Sequence, residues 1–162
     1  MPKFSHKKKK TFVKPAEAPE LSQGFSMSPE AYGQVMAYLE SRLGKHPQFD
    51  YELTDFHPDH TLALLDDSGK LMAYCSTIPS VPVASAFRKG RSAMRIGVLE
   101  VLEGHRGKGL GVRLVQEIAA IARRGGYTCV RTFAIDGAVG FYRKHGFVTD
   151  VSVRGLNTRL DL

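Results

Sequence analysis

Cysteine is scarce in this chain, acidic residues are missing from its first 14 positions, and long apolar runs are absent. Each lack excludes something. Cys75 and Cys129 are the only two cysteines. They lie far apart, each inside an apolar, strand-like run, so neither a disulfide framework nor a zinc site is expected. Two buried thiols in a reducing compartment are expected instead, with the cytoplasm as the simplest address. No apolar stretch approaches the roughly 20 residues of a membrane span. None follows Met1-Pro2-Lys3 either, so no secretory signal is expected. At 162 residues the chain has the size of one domain. With 43% hydrophobic and 24% charged residues it can close a core without metal or disulfide staples.

The formal net charge of +7 points towards nucleic acid until its placement is considered. Lys3, Lys7, Lys8, Lys9, Lys10 and Lys14 carry six of those seven charges. The rest of the chain is nearly neutral. Residues 1–23, with Pro15 and Pro19 and no apolar periodicity, are expected to form a disordered basic arm and linker, and 24–162 a single domain. Three roles stay open for the arm. It is a solvated tail without a partner, an electrostatic contact to nucleic acid or the ribosome, or a guide for a polyanionic ligand.

Within the domain, Ser28-Pro29-Glu30 predicts a helix start, with serine as cap, proline at the first position and an acid in the first turn. Val35, Met36, Leu39 and Leu43 then share one face, and Gly44 suits the stop. Phe49 to Phe56 is strand-like. Thr61 to Leu65, the turn Asp66-Asp67-Ser68-Gly69, and Lys70 to Ile78 read as a β-hairpin. Pro79 to Ala93 is a long loop with Arg88, Lys89 and Arg91. Met94 to Leu102 is strand, and Gly109 to Arg124 is helix. The helix carries an apolar stripe of Leu110, Leu114, Val115, Ile118, Ala119 and Ala122. A strand at 127–135, a short helix at 137–145 closed by Gly146, and strands at 147–153 and 156–160 complete an α/β chain with a mixed sheet.

The stretch that carries chemistry is Val98-Leu99-Glu100-Val101-Leu102-Glu103-Gly104-His105-Arg106-Gly107-Lys108-Gly109-Leu110-Gly111. A strand enters a glycine-rich turn that opens a helix. Glycine allows close approach and unusual backbone angles. The free amides and dipole of the helix start favour an anion, so such a turn cradles phosphate. Arg106 and Lys108 add full charges. Two other phosphate loops fit worse. Lys108 is followed by Gly109 rather than the hydroxyl residue of a Walker loop, and Val112 stands where a dinucleotide fingerprint needs its third glycine. His57-Pro58-Asp59-His60 resembles a metal cluster only superficially; two histidines without further ligands read as a polar loop. His145 reads as a cation at a helix C-terminus.

Arg106-x-x-Gly109-x-Gly111, after a strand ending in Val101, resembles the acyl-CoA loop of GNAT-superfamily acetyltransferases. A second match, Ala138-x-x-Phe141-Tyr142-x-Lys144-x-Gly146-Phe147, resembles the later helix of the same family. The resemblance implies a splayed mixed sheet of about six or seven strands with flanking helices, and acetyl-CoA as acyl donor without a metal. It implies that Arg106, Gly107, Lys108, Gly109, Leu110 and Gly111 hold the pyrophosphate and that Leu99 and Val101 line the pantetheine arm. Asp136 stands nearest the place of a frequent family asparagine. Tyr142 is the expected proton donor to the thiolate, and Glu100 a candidate base. The family's own glutamate position falls near Arg95 here, so the resemblance leaves the base unassigned.

The expected reaction is acetyl transfer to a primary amine of a protein, a small molecule or an aminoacyl-tRNA, by a monomer or homodimer. The basic loop at Arg88, Lys89 and Arg91 disfavours polyamines and raises anionic acceptors. The rival reading is a catalytically inactive GNAT-shaped protein that contacts nucleic acid through its lysine arm.

Overall fold

The computed structural model describes residues 27–42, 57–78, 93–152 and 155–162. The arm at 1–23, the expected strand at 49–56, the basic loop at Arg88 to Arg91 and Leu43-Gly44 lie outside the described residues.

Helix α1 spans Pro29–Arg42. Its start is the expected one: Ser28 Oγ accepts from the Ala31 amide at 3.2 Å. Glu30 lies in the first turn, where a backbone hydrogen bond and then Ser28 lower its pKa. Ala31, Val35 and Leu39 are the buried residues, with Met36 only at the margin of their cluster. Val35 and Leu39 pack on Leu71 and Tyr74 of the hairpin formed by β1 (Thr61–Leu65) and β2 (Leu71–Ile78). The tight turn is held by Asp66, whose Oδ1 accepts from the Ser68 amide, the Ser68 hydroxyl and the Lys70 amide at 2.7–2.9 Å. Gln34 ties α1 to the hairpin. Its Oε1 accepts from the Leu71 amide at 2.8 Å and its Nε2 donates to the Gly69 carbonyl at 2.6 Å.

Strand β3 (Ala93–Val101) is followed by α2 (Leu110–Arg124), β4 (Cys129–Ala134), a 3-10 turn (Asp136–Ala138) and α3 (Val139–Lys144). Strands β5 (Val148–Ser152) and β6 (Gly155–Asp161) close the described chain. The six strands form one sheet in the order β1-β2-β3-β4-β6-β5. Every neighbouring pair is antiparallel except β3 and β4, the pair that α2 connects. This is the expected α/β domain with a mixed sheet, and among the described residues it has six strands and three α-helices.

Helix α2 covers one face of the sheet. Leu114, Val115, Ile118, Ile121 and Ala122 pack against Ala73, Cys75, Met94, Ile96 and Val130. Ile121 joins the buried set although the sequence stripe omitted it, and Leu110 is only half-buried. On the other face α1 covers the β1–β2 end. Tyr142 and Phe147 from α3 and beyond it complete the core on the α2 side.

Candidate active site

The site begins where two strands part. Strand β3 pairs with β4 at Ala93–Cys129, Met94–Val130, Arg95–Arg131 and Ile96–Thr132, and the pairing stops there. Its other neighbour explains the departure. Ser76 of β2 faces Val98 and Thr77 faces Ile96, so Gly97 is an extra residue bulged out of the ladder. A Cβ at Gly97 would come within 3.1 Å of the Ile78 side chain, so a larger residue at the bend would require Ile78 to shift. Beyond the bulge β3 continues through Leu99 and Val101 with its β4-facing edge unpaired. An unpaired edge presents backbone donors and acceptors to any extended chain laid beside it.

A glycine turn stands at the mouth of this opening. Gly104, Gly107 and Gly109 have φ of +86°, +77° and +76°, left-handed values that side-chain-bearing residues resist. Gly109 caps α2 without any side-chain hydrogen bond, so the amides of the first turn have no capping partner. Arg106, Gly107, Lys108 and Gly109 are exposed. Arg106 folds back along the strand end, its Nε donating to the Val101 carbonyl at 3.2 Å. Gly111 has a different reason to be small: a Cβ there would meet the Phe141 ring at 3.3 Å. The two sequence motifs therefore touch, the loop of one against the helix of the other.

Tyr142 is 5% exposed and lies between the rings of Phe141 and Phe147, each with centroids at 5.1 Å. Burial pushes its phenol up to about 12, partly offset by a hydrogen bond with Thr132. Thr132 in turn donates to the Ile96 carbonyl at 3.4 Å. The phenol thus sits beside the last residue pair before the strands part. Burial also raises the Cys75 thiol, which like Cys129 is buried and outside any disulfide. Asp136 opens the 3-10 turn that follows β4.

Glu100 lies elsewhere. It alternates with Leu99 and Val101, which pack into the α2-side core, and so faces α1. Its Oε1 accepts from the Tyr38 hydroxyl at 2.7 Å and its Oε2 from the Tyr74 hydroxyl at 2.8 Å, with Arg42 at 3.6 Å. Burial, then Glu100, raises the phenol of Tyr38 to about 12 and that of Tyr74 further still. Glu100 and Tyr142 are consequently on opposite faces of the sheet. His57 accepts from the Asp59 amide at 3.2 Å and flanks a short 3-10 turn with His60, whose pKa burial lowers. Among the described residues no three side chains converge as metal ligands, and no helix is long and apolar enough to cross a membrane.

A parting of two parallel strands, with a glycine turn and a helix start at its mouth, is an α/β arrangement whose geometry suits a phosphate-bearing ligand at the strands' C-terminal ends. The chain belongs to the acetyltransferase (GNAT) family, whose model matches residues 29–147. A GNAT-family acetyltransferase from Staphylococcus aureus Mu50 is similar in structure, with TM-score 0.64 at 10% identity over 84% of this chain and 96% of that one. The NatC complex, solved with Gag peptide and CoA, is similar with TM-score 0.62 at 18% identity over 83% of this chain and 92% of that chain. N-acetylglutamate synthase from Neisseria gonorrhoeae, solved with coenzyme A and N-acetyl-glutamate, gives 0.60 at 16% identity over 85% of this chain and 34% of that one. At such identities the likeness is one of fold. No curated protein matches the sequence.

Sequence reasoning missed the partners of Glu100 and the role of Thr132. Tyr38 and Arg42 lie one turn apart on α1 and Tyr74 lies on β2, and only tertiary packing brings them to Glu100. Gly97 did leave a signal, since a lone glycine inside a strand pattern marks a bulge.

Proposed function

We propose that this domain transfers an acetyl group from acetyl-CoA to a primary amine. The observation that carries the reading is the parting of β3 from β4 directly below the glycine turn. Acetyl-CoA supplies the acetyl group as a thioester already activated towards an amine.

The uncapped amides at the start of α2, from Gly107 to Gly111, hold the phosphates, with Arg106 and Lys108 as counter-charges and Leu110 covering the core beneath. The unpaired edge of β3 at Leu99 and Val101 aligns an extended amide-bearing arm by backbone hydrogen bonds. Asp136, which opens the turn after β4, joins the cofactor site from that strand's end. Tyr142 donates its hydroxyl proton to the departing sulfur. Its raised pKa keeps it protonated through the physiological range, which a general acid needs. Glu100 enters as a positioning residue, because each carboxylate oxygen already accepts a phenol hydroxyl.

The test is turnover. Purified protein is incubated with acetyl-CoA and a panel of amines, and acetylated product is followed by mass spectrometry alongside free thiol. Amine-dependent thiol release with matching product supports the reading. Tight acetyl-CoA binding without turnover of any amine would instead favour the GNAT-shaped binding protein.

A further inference from the structure

On the sheet face away from α2, three arginines stand in one row. Register pairs Arg95 with Arg131, and Arg131 with Arg159. The residues alternating with them, Met94, Val130 and Leu160, pack into the core under α2. Neighbouring strands lie about 4.8 Å apart, so the row spans roughly 10 Å.

Among the described residues, only one end of the row has a countercharge. Arg159 pairs with Asp161 at 3.0 Å. Arg95 lies over the exposed Phe133 ring at 4.5 Å, a contact that orients it without neutralising it. Arg131, between them, is half-buried, and its Nε is buried without a hydrogen-bond partner. Like charges directly opposite each other destabilise a sheet. A buried donor left unsatisfied costs more. No packing role compensates, because the neighbouring Phe133 and Val148 are 50% and 57% exposed. A planar guanidinium with an unsatisfied donor, flanked by two others, matches a carboxylate or phosphate.

The row's position gives it a purpose. Arg95 and Arg131 are one residue before Ile96 and Thr132, the last pair before the strands part. An anion on the row therefore sits at the base of the opening, on the face opposite the Tyr142 core. We propose that the acceptor amine carries a carboxylate or phosphate group, bound by Arg131 with Arg95 and Arg159 at its sides. The assignment of that oxyanion to an acceptor rests on the acetyltransferase reading; the oxyanion site itself rests on the row alone.

Two measurements decide it. Thermal unfolding of the full chain is compared in inorganic phosphate and in chloride at matched ionic strength, for wild type, Arg131→Gln, Arg131→Lys and Arg106→Glu. Phosphate should raise the wild-type Tm, and Arg131→Gln should lose a share of that rise that Arg106→Glu retains, with Arg131→Lys intermediate. In chloride Arg131→Gln should be at least as stable as wild type, because a repulsion is relieved. Initial rates at saturating acetyl-CoA are then compared for glutamate and O-phosphoethanolamine against ethanolamine and phenethylamine. At least one oxyanion-bearing amine should lead by about tenfold or more in kcat/KM, and Arg131→Gln should erase that lead through KM. Which of the two leads separates carboxylate from phosphate. An unchanged phosphate response in Arg131→Gln, or neutral amines used as well as anionic ones, overturns the proposal. If acetyl-CoA fails to bind, the acetyltransferase reading falls, while the phosphate response still decides the oxyanion site.

Discussion

From Ala93 to Ile96, β3 runs paired with β4, whereas from Gly97 to Val101 the same strand has left it. The two halves share one covering helix and differ in nearly everything else. In the paired half Met94, Ile96 and Val130 are each 1% exposed, and the hydrophobic effect holds them under α2. In the parted half Leu99 and Val101 are only half-buried, and polar contacts gather there: Glu100 with its phenols, Arg106 on the Val101 carbonyl. A single extra residue, Gly97, divides them. The apolar core lies under one half and the proposed cofactor site runs along the other, so substitutions should separate stability from cofactor binding.

The largest separation should come from the core beneath the paired half. Leu114 is fully buried, and Leu114→Ala should cost about 2–5 kcal/mol of stability. Denaturant unfolding measures that loss, while the folded fraction should keep its affinity for acetyl-CoA. Tyr142→Phe inverts the pattern. Loss of a positioned general acid should lower kcat about 100-fold, with Tm changed by no more than a few degrees. A smaller effect with both components is expected at Glu100→Gln. The amide can accept at one end only, leaving one phenol of Tyr38 or Tyr74 unsatisfied, for about 1–2 kcal/mol. KM for acetyl-CoA should rise with kcat nearly unchanged; a base would lose kcat instead.

The smallest effect is in pH. Tyr38 and Tyr142 are both pushed up to about 12 in the folded chain, against an ordinary 10. A raised pKa contributes stability that is full below the unfolded value and lost as pH rises through the folded one. Tm should therefore hold up to pH 10 and fall between pH 10 and 12. Tyr142→Phe should remove part of that slope.

Much of this arrangement was legible because it is local. Ser28-Pro29-Glu30 starts a helix and Asp66 to Gly69 a turn through contacts within four residues. The strand, glycine turn and helix around Arg106 to Gly111 are continuous in the chain. What escaped depends on strand order. Strand β6 inserts between β4 and β5, so Arg159 comes to lie beside Arg131, a neighbour that chain order does not announce. Glu100 looked like a free carboxylate on a strand because its partners Tyr38 and Tyr74 lie 62 and 26 residues away. The bulge at Gly97 then sets which face each of these side chains takes, since a one-residue shift reverses a strand.

The central claim is that the parted half, with its glycine turn, holds acetyl-CoA. Calorimetric titration of acetyl-CoA into the full chain, with Arg106→Glu beside wild type, tests it most directly. Saturable binding to wild type that the charge reversal weakens by an order of magnitude or more, about the worth of one charge-assisted contact, is the predicted result. A folded wild-type protein that shows no heat of binding, or that binds equally well after the reversal, would contradict it.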